Sequence, residues 1–212
     1  MTRSRSTRLA ALAASTALAA TGLAATASPA SAGESPSIAA LLAADGLSFD
    51  DSWQDFDILD QAVNDVLTAK PDSPVAALAD GSVPLTVFAP NDRAFRRLVA
   101  DLTGDRPADE ETTYAAVGTL GVDTIETVLL YHVVPDATIT YKQAKKADGA
   151  RLETAAGKHL RVNYRPGRQK VYLKDADRND RNAFVLSSAK NLNKGNPQIA
   201  HGISEVLRPL DL

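Results

Sequence analysis

Apolar residues in the first half of the chain recur every three or four positions, which is the repeat of an amphipathic helix. The clearest run predicts a helix over residues 52–70, with Ser52 as its cap and Pro71 just after its end. Its apolar positions are Phe56, Leu59, Val63, Val66 and Leu67. Weaker runs predict three further helices, at residues 38–44, 92–102 and 110–120.

The most apolar helical run lies between Asp123 and Pro135. Ile125, Val128, Leu129, His132 and Val133 repeat at helical spacing, and Leu130, Tyr131 and Val134 fill another face. We therefore predict a central helix that is buried nearly all round, capped by Asp123 and ended by Pro135.

Two short segments carry strong local signals for a strand and for helix caps. Leu85–Ala89 is a continuous apolar run that predicts a buried strand, and Asn91 is placed to cap the helix that follows it. Thr140 and Gln143 form a predicted capping box for a short polar helix.

After Gly149 the pattern changes from a helical repeat to alternation of apolar and polar residues. Alternating segments predict strands, and Pro166-Gly167 marks a turn between two of them. The predicted strands lie at residues 152–154, 160–164, 171–173, 183–188 and 199–207. Helices followed by antiparallel strands predict an α+β fold, with helices against one side of an antiparallel sheet system.

The N-terminus has the pattern of a cleaved secretory signal. Arg3, Arg5 and Arg8 precede an alanine-rich apolar stretch, and the small residues Ala30-Ser31-Ala32 follow it. We predict a signal peptide at residues 1–32 and a single domain at residues 33–212 that is secreted or held in the cell wall. The alanine-rich signal and the preference for Arg over Lys are typical of a bacterial source.

Charge is divided unevenly along the chain, whose formal net charge is −3. Residues 33–140 carry 5 basic and 19 acidic side chains, whereas residues 141–212 carry 15 basic and 7 acidic ones. One interpretation is that the two halves attract each other within the domain. The other is that the second half presents a basic surface to an anionic polymer.

Sequence motifs for catalysis and metal binding are missing. The chain has no Cys, and its three His residues have no metal-ligand spacing. Residues 175–180 resemble the start of a calcium loop, but Asp180 replaces its glycine and Leu186 its final glutamate, so we predict a solvated hairpin turn. We expect no catalytic residue, no cofactor, no metal and no nucleic-acid partner.

His132 has two interpretations. It lies on the apolar stripe of a predicted helix, so its ring can tie that helix to the Thr86 strand or to the C-terminal strand. Alternatively it is a base or a ligand, although no nucleophile lies near it in the sequence. The structural interpretation is favoured.

Three ordered motifs resemble the fasciclin domain family, the module of the periostin and TGF-beta-induced protein group. Residues 86–95 (TVFAPNDRAF) are similar to its strand-to-helix motif, residues 130–135 (LYHVVP) to its tyrosine-histidine motif, and residues 201–209 to its C-terminal block. The motif residues, structural or interactive, are Thr86, Phe88, Pro90, Tyr131, His132, Pro135 and His201.

The resemblance implies a wedge-shaped α+β fold, with an antiparallel β-sandwich-like core and a helical layer, and a role in adhesion. We therefore expect a secreted, non-catalytic protein that attaches to a cell surface or matrix, through a wall polymer, a glycan or a surface protein. The alternative is an extracellular carrier or sensor of a small ligand, which would require an apolar pocket with polar groups.

Overall fold

The computed structural model describes residues 35–45, 48–50 and 52–210. The predicted signal peptide lies outside the described residues. Within the described part of the chain, no helix has the length and apolar character needed to cross a membrane.

Helices dominate the first part of the fold and strands the second, which confirms the α+β class. The helices are α1 (Ile38–Leu42), α2 (Asp57–Ala69), α3 (Asp92–Thr103), α4 (Glu110–Gly118), α5 (Val122–Tyr131) and α6 (Tyr141–Lys146). The strands are β1 (Leu85–Pro90), β2 (Val133–Pro135), β3 (Arg151–Glu153), β4 (His159–Arg165), β5 (Lys170–Lys174), β6 (Ala183–Phe184) and β7 (Gln198–Ile203). Short 3₁₀ turns occupy Ala43–Asp45, Pro74–Ala79 and Pro166–Arg168.

The strands form two sheets. One is antiparallel with the order β3-β4-β5-β6, and the other has the order β2-β1-β7. In the second sheet β7 runs parallel to β1, with Leu85 opposite Gln198 and Pro90 opposite Ile203, so the expectation of antiparallel pairing is wrong for this pair. Both strands are buried along their whole length, as parallel strands usually are.

The three-stranded sheet separates two apolar clusters, since successive side chains of a strand point to opposite faces. On one face Val87 packs with residues of the helices, including Ile58 and Leu98. On the other face Phe88 packs with residues of the four-stranded sheet, including Leu160. The result is a layer of helices, a three-stranded sheet and a four-stranded sheet, in that order.

The start of α2 differs from its prediction, because a distant residue caps it. The helix begins at Asp57, five residues after the predicted cap Ser52. The carboxylate of Asp92 accepts the backbone N–H groups of Asp57 at 3.3 Å and Ile58 at 2.9 Å. The local caps are confirmed: Asn91 accepts the N–H of Ala94, and the capping box of α6 is complete.

Helix α5 is shorter and more exposed than predicted. It starts after Gly121 without a side-chain cap, so Asp123 is not its cap, and it ends at Tyr131. Val133–Pro135 then forms β2, which pairs with β1. Within the helix only Leu129 and Tyr131 are buried, and Ile125 and Val128 line a surface pocket.

The segment predicted as a solvated hairpin turn is anchored to a buried arginine. Arg208 makes ion pairs with Asp177 at 3.1 Å and with Asp180 at 3.3 Å, and its backbone N–H donates to Asp175 at 2.9 Å. The turn is therefore only partly solvated, since Ala176, Arg178 and Asn179 are exposed whereas Asp177 is buried. The neighbouring strands β6 and β7 also end earlier than predicted, at Phe184 and Ile203.

Candidate functional site

The strand β1 holds three of the predicted motif residues. The hydroxyl of buried Thr86 accepts the backbone N–H of Ile139 at 2.8 Å and donates to the carbonyl of Ala137. This pair of bonds fixes the segment that leads from β2 to α6. Phe88 is buried and stacks on the ring of His201, with ring centroids 6.0 Å apart, and Pro90 ends the strand in a buried position.

Tyr131 and His201 are buried beside the same sheet. The Tyr131 hydroxyl donates to the carbonyl of His159 at 3.1 Å, and burial raises the pKa of Tyr131 to about 12. His201 accepts the N–H of Asn191 at Nδ1 and donates from Nε2 to the carbonyl of Ile139 at 2.8 Å. Burial lowers the pKa of His201, so the ring is held in its neutral form.

His132 uses both ring nitrogens inside the protein. Nε2 accepts the backbone N–H of Leu207 at 2.9 Å, so Nδ1 carries the proton and donates to the carbonyl of Val128 at 2.7 Å. The side chain is buried, and burial lowers the pKa of His132 to about 4. Neither nitrogen is left for a substrate or a metal.

Of the seven predicted motif residues, only Pro135 is exposed. It ends β2, opposite Leu85 of β1. The structure brings the other six into and around the three-stranded sheet, where they contact one another or nearby backbone. These six side chains are therefore out of reach of a partner.

An apolar pocket of about 270 Å³ lies between α3, α4, α5 and the segment 206–210. Its walls include Leu98 of α3, Val117 of α4 and Val128 of α5. Leu210, which is 46% exposed, lies at the same pocket. This pocket explains why the apolar residues of α5 are not all covered.

Five basic residues lie on the solvent side of the four-stranded sheet, and we call this surface the basic sheet face. Its members are Arg151, Arg161, Arg165, Lys170 and Lys174. Pairing in the sheet places Arg161 directly opposite Arg151 on one side and Lys174 on the other, and places Arg165 opposite Lys170. The sequence predicted a basic half, but only the strand register shows that these charges lie in rows.

Aromatic rings lie on the same side of this sheet, between the charged rows. The guanidinium of Arg165 lies 4.3 Å from the centre of the Tyr172 ring, and Lys170 lies 3.6 Å from that of Phe184. Such contacts are attractive and hold the long basic side chains in place. Among the described residues, no member of the basic sheet face makes a salt bridge.

Sequence reasoning missed a cluster of acidic side chains formed by Asp55, Asp92 and Glu110, which we call the acidic cluster. One oxygen of each carboxyl group lies within 4.8 Å of the other two. Burial and the neighbouring Asp55 raise the pKa of Asp92 to about 9, and burial raises the pKa of Glu110 to about 7. The signal in the sequence was the high density of acidic residues from Asp50 to Asp57, but nothing local points to Glu110.

Comparison with known proteins gives one family. A model of the fasciclin domain matches residues 59–209. A solved structure of a FAS1 domain pair from the insect cell adhesion molecule fasciclin I is similar, with 15% sequence identity and a TM-score of 0.42. The alignment covers 69% of this chain and 44% of that one, so this chain spans less than half of the domain pair. No curated protein matched the sequence.

Proposed function

The chain belongs to the fasciclin domain family, and we propose that it is a secreted, non-catalytic protein that attaches to a cell surface or extracellular matrix. Fasciclin domains are typically extracellular and bind other proteins or surfaces. We assign the contact to the basic sheet face. Its partner is a polymer that carries carboxylate, phosphate or sulfate groups.

The row Arg151, Arg161 and Lys174 is the observation that supports this proposal most. Like charges directly opposite each other in a sheet are destabilising. Within the described residues this row has no acidic ion-pair partner that would offset the repulsion. An anionic polymer lying across the strands would supply the missing negative charge.

Arginine suits this task because its planar guanidinium can donate two parallel hydrogen bonds to a carboxylate or phosphate. Arg165 stacks on Tyr172, so its position is set before binding and less side-chain entropy is lost. A depression beside Arg161 and Lys174 is also lined by Arg178, but Asp175 and Asp177 line it too, so its charge is mixed.

The test compares two double variants with the same change of net charge. Arg161→Glu with Lys174→Glu reverses the basic sheet face. Lys142→Glu with Lys146→Glu reverses exposed charges on α6, which packs on the opposite side of that sheet through Ala144. We expect the first variant to lose binding to an anionic polysaccharide array at least tenfold more than the second.

Wild-type binding should also weaken as salt rises, since exposed charges are screened over roughly 10 Å at 0.1 M ionic strength. Equal losses in the two variants, or binding that salt does not change, would remove the basic sheet face from the proposal. Thermal melts of both variants check that the fold is retained.

The apolar pocket supports a second candidate function, an extracellular carrier of a small apolar ligand. Its volume of about 270 Å³ is close to the lower end of the usual range of ligand pockets. A neutral fluorescent probe such as N-phenylnaphthylamine tests it. Val128→Trp should fill the pocket and abolish probe binding, whereas Thr119→Trp, exposed at the end of α4, should leave it unchanged.

A further inference from the structure

The acidic cluster joins three separate parts of the helical layer. Asp55 lies in the loop before α2, Asp92 is the first residue of α3, and Glu110 is the first residue of α4. One oxygen of each side chain lies within 4.8 Å of an oxygen of the other two. Carboxylates at such distances repel each other strongly unless a cation or a shared proton lies between them.

Two members of the cluster are removed from water almost completely. Asp92 is fully buried, and Glu110 is 1% exposed. Among the described residues, no Lys or Arg nitrogen lies within salt-bridge distance of any of the three carboxyl groups. Buried charges are normally paired or bound to a metal, so the fold leaves a position here for a cation that the chain itself does not fill.

Unused oxygen atoms give an independent indication of a ligand. The backbone N–H of Asp50 donates to Oε2 of Glu110 at 2.9 Å, but Oε1 of the same side chain is buried and accepts no hydrogen bond. Oδ1 of Asp55 is also buried without a hydrogen-bond partner. Buried polar atoms are rarely left in this state, and an unplaced ion is one of the explanations for such an exception.

We propose that Asp55, Asp92 and Glu110 bind a calcium ion. Calcium prefers oxygen ligands, which it holds at 2.3–2.6 Å. The oxygens of this cluster lie within 4.8 Å of one another, a separation that two ligands of one calcium ion can have. Magnesium demands near-ideal octahedral geometry and keeps several water ligands, so a buried group of protein carboxylates suits it less well.

The surroundings provide further ligands and a route for the ion. Asp50 and Asp57 form a second group with Asp55, again with oxygens within 4.8 Å of one another. Asp50 is exposed, so it connects the buried oxygens to solvent. Bound calcium would tie the loop before α2 to the N-terminal ends of α3 and α4. This site is separate from the basic sheet face, and its test does not depend on the proposed attachment function.

Calcium titration of the full-length protein, stripped with a chelator, tests the proposal directly. We expect heat of binding in calorimetry with a dissociation constant on the order of 0.1–1 mM, as in extracellular calcium modules. The melting temperature should rise with calcium, because a ligand that binds only the folded state stabilises it. Magnesium at the same concentration should raise it less.

Glu110→Gln is the key variant, because it keeps the shape of the side chain and removes one charge. We expect it to lose calcium affinity at least tenfold. Glu111→Gln is the matched control, since Glu111 is the next residue of α4 and is exposed, and it should bind like the wild type. Asp55→Asn is a second variant that should lower calcium affinity. It leaves Asp92, which caps α2, unchanged.

Three outcomes would overturn the proposal. The first is a wild-type protein with neither heat nor a change of melting temperature up to about 10 mM calcium, above the usual range of extracellular sites. The second is equal calcium affinity in Glu110→Gln and Glu111→Gln. The third is Glu110→Gln melting higher than the wild type in chelator while neither protein responds to calcium, which identifies a cluster held together by shared protons.

Discussion

The ring of His132 accepts the backbone N–H of Leu207 at 2.9 Å, which joins the end of α5 to the C-terminal segment across 75 residues of sequence. Its other nitrogen bonds to Val128 within the helix. Because both partners are backbone groups, the ring holds the two segments in position without using a side chain of either.

Replacing His132 with alanine should destabilise the protein. The change removes two hydrogen bonds, leaves the N–H of Leu207 without its partner and creates a cavity. We expect the free energy of unfolding to fall by about 2–4 kcal/mol, measured by urea denaturation. His159→Ala is the control, since His159 is exposed. An unchanged melting temperature with lost binding would instead place His132 in an interaction site.

Acid should destabilise the protein through His132. Burial lowers the pKa of His132 to about 4 from its ordinary value of 6.5, so between these values the unfolded state binds more protons. This contribution is complete above pH 6.5 and is lost as the pH falls to about 4, for a total of about 3 kcal/mol.

The measurement compares the wild type with His132→Gln by urea denaturation at several pH values, in buffer with chelator. Both proteins retain Asp92 and Glu110, so the difference between their free energies of unfolding isolates His132. The two acidic groups change stability with pH in the opposite direction. Their pKa values are raised in the fold, so their contribution decreases as the pH rises. Parallel pH profiles of the two proteins would contradict the prediction.

Gln198 should be essential for stability although it belongs to no predicted motif. Its side chain is fully buried, accepts the N–H of Ile38 at 2.7 Å and donates to the carbonyls of Ala77 and Asp80 at 2.7 Å each. Gln198→Leu leaves the buried N–H of Ile38 without its partner and removes one of the two donors to each carbonyl, so it should cost about 3–5 kcal/mol. The exposed Gln54→Leu variant should melt like the wild type.

Substitution of Arg208 should destabilise the protein about as much as substitution of Gln198, because Arg208 is the cation of a buried group of ion pairs. Its buried guanidinium pairs with Asp101 at 2.7 Å as well as with Asp177 and Asp180. Arg208→Met leaves the nearly buried Asp177 without its cation and should cost about 3–5 kcal/mol by chemical denaturation. Arg178→Met, in the exposed part of the same loop, should have little effect. A small loss in the Arg208 variant would show that water replaces the cation.

Export should remove the first 32 residues. The basic residues near the N-terminus and Ala30-Ser31-Ala32 predict that the mature protein begins at Gly33. N-terminal sequencing of protein from the culture medium or the wall fraction measures this. Exported material that still begins at Met1 or Thr2 would contradict it.

Two helix caps and two strands were predicted correctly from neighbouring residues in the sequence. Asn91 caps α3 and Thr140 caps α6, since each cap bonds to a backbone N–H three residues later. Alternation correctly located β4 and β5. The start of α2 was wrong because its cap, Asp92, lies 34 residues from Ile58, and no local pattern contains that contact.

The candidate sites also have parts that the sequence shows and parts that only the tertiary structure shows. The sequence showed that the second half of the chain is basic, because charge is a property of composition. The strand register determined that Arg161 lies between Arg151 and Lys174, since a shift of one residue would turn these side chains to the other face. Glu110 reaches Asp92 only when α4 packs beside α3, so the acidic cluster is absent from any local pattern.

The sequence by itself therefore determined the caps of α3 and α6, the helical and strand periods, the family motifs and the charge division, because each depends on residues close in the chain or on composition. The tertiary structure decided that β7 lies parallel to β1 and that α5 stays partly exposed beside a pocket. It also decided which charges meet. These features depend on contacts between distant segments, whose free energy is gained only when the whole domain packs.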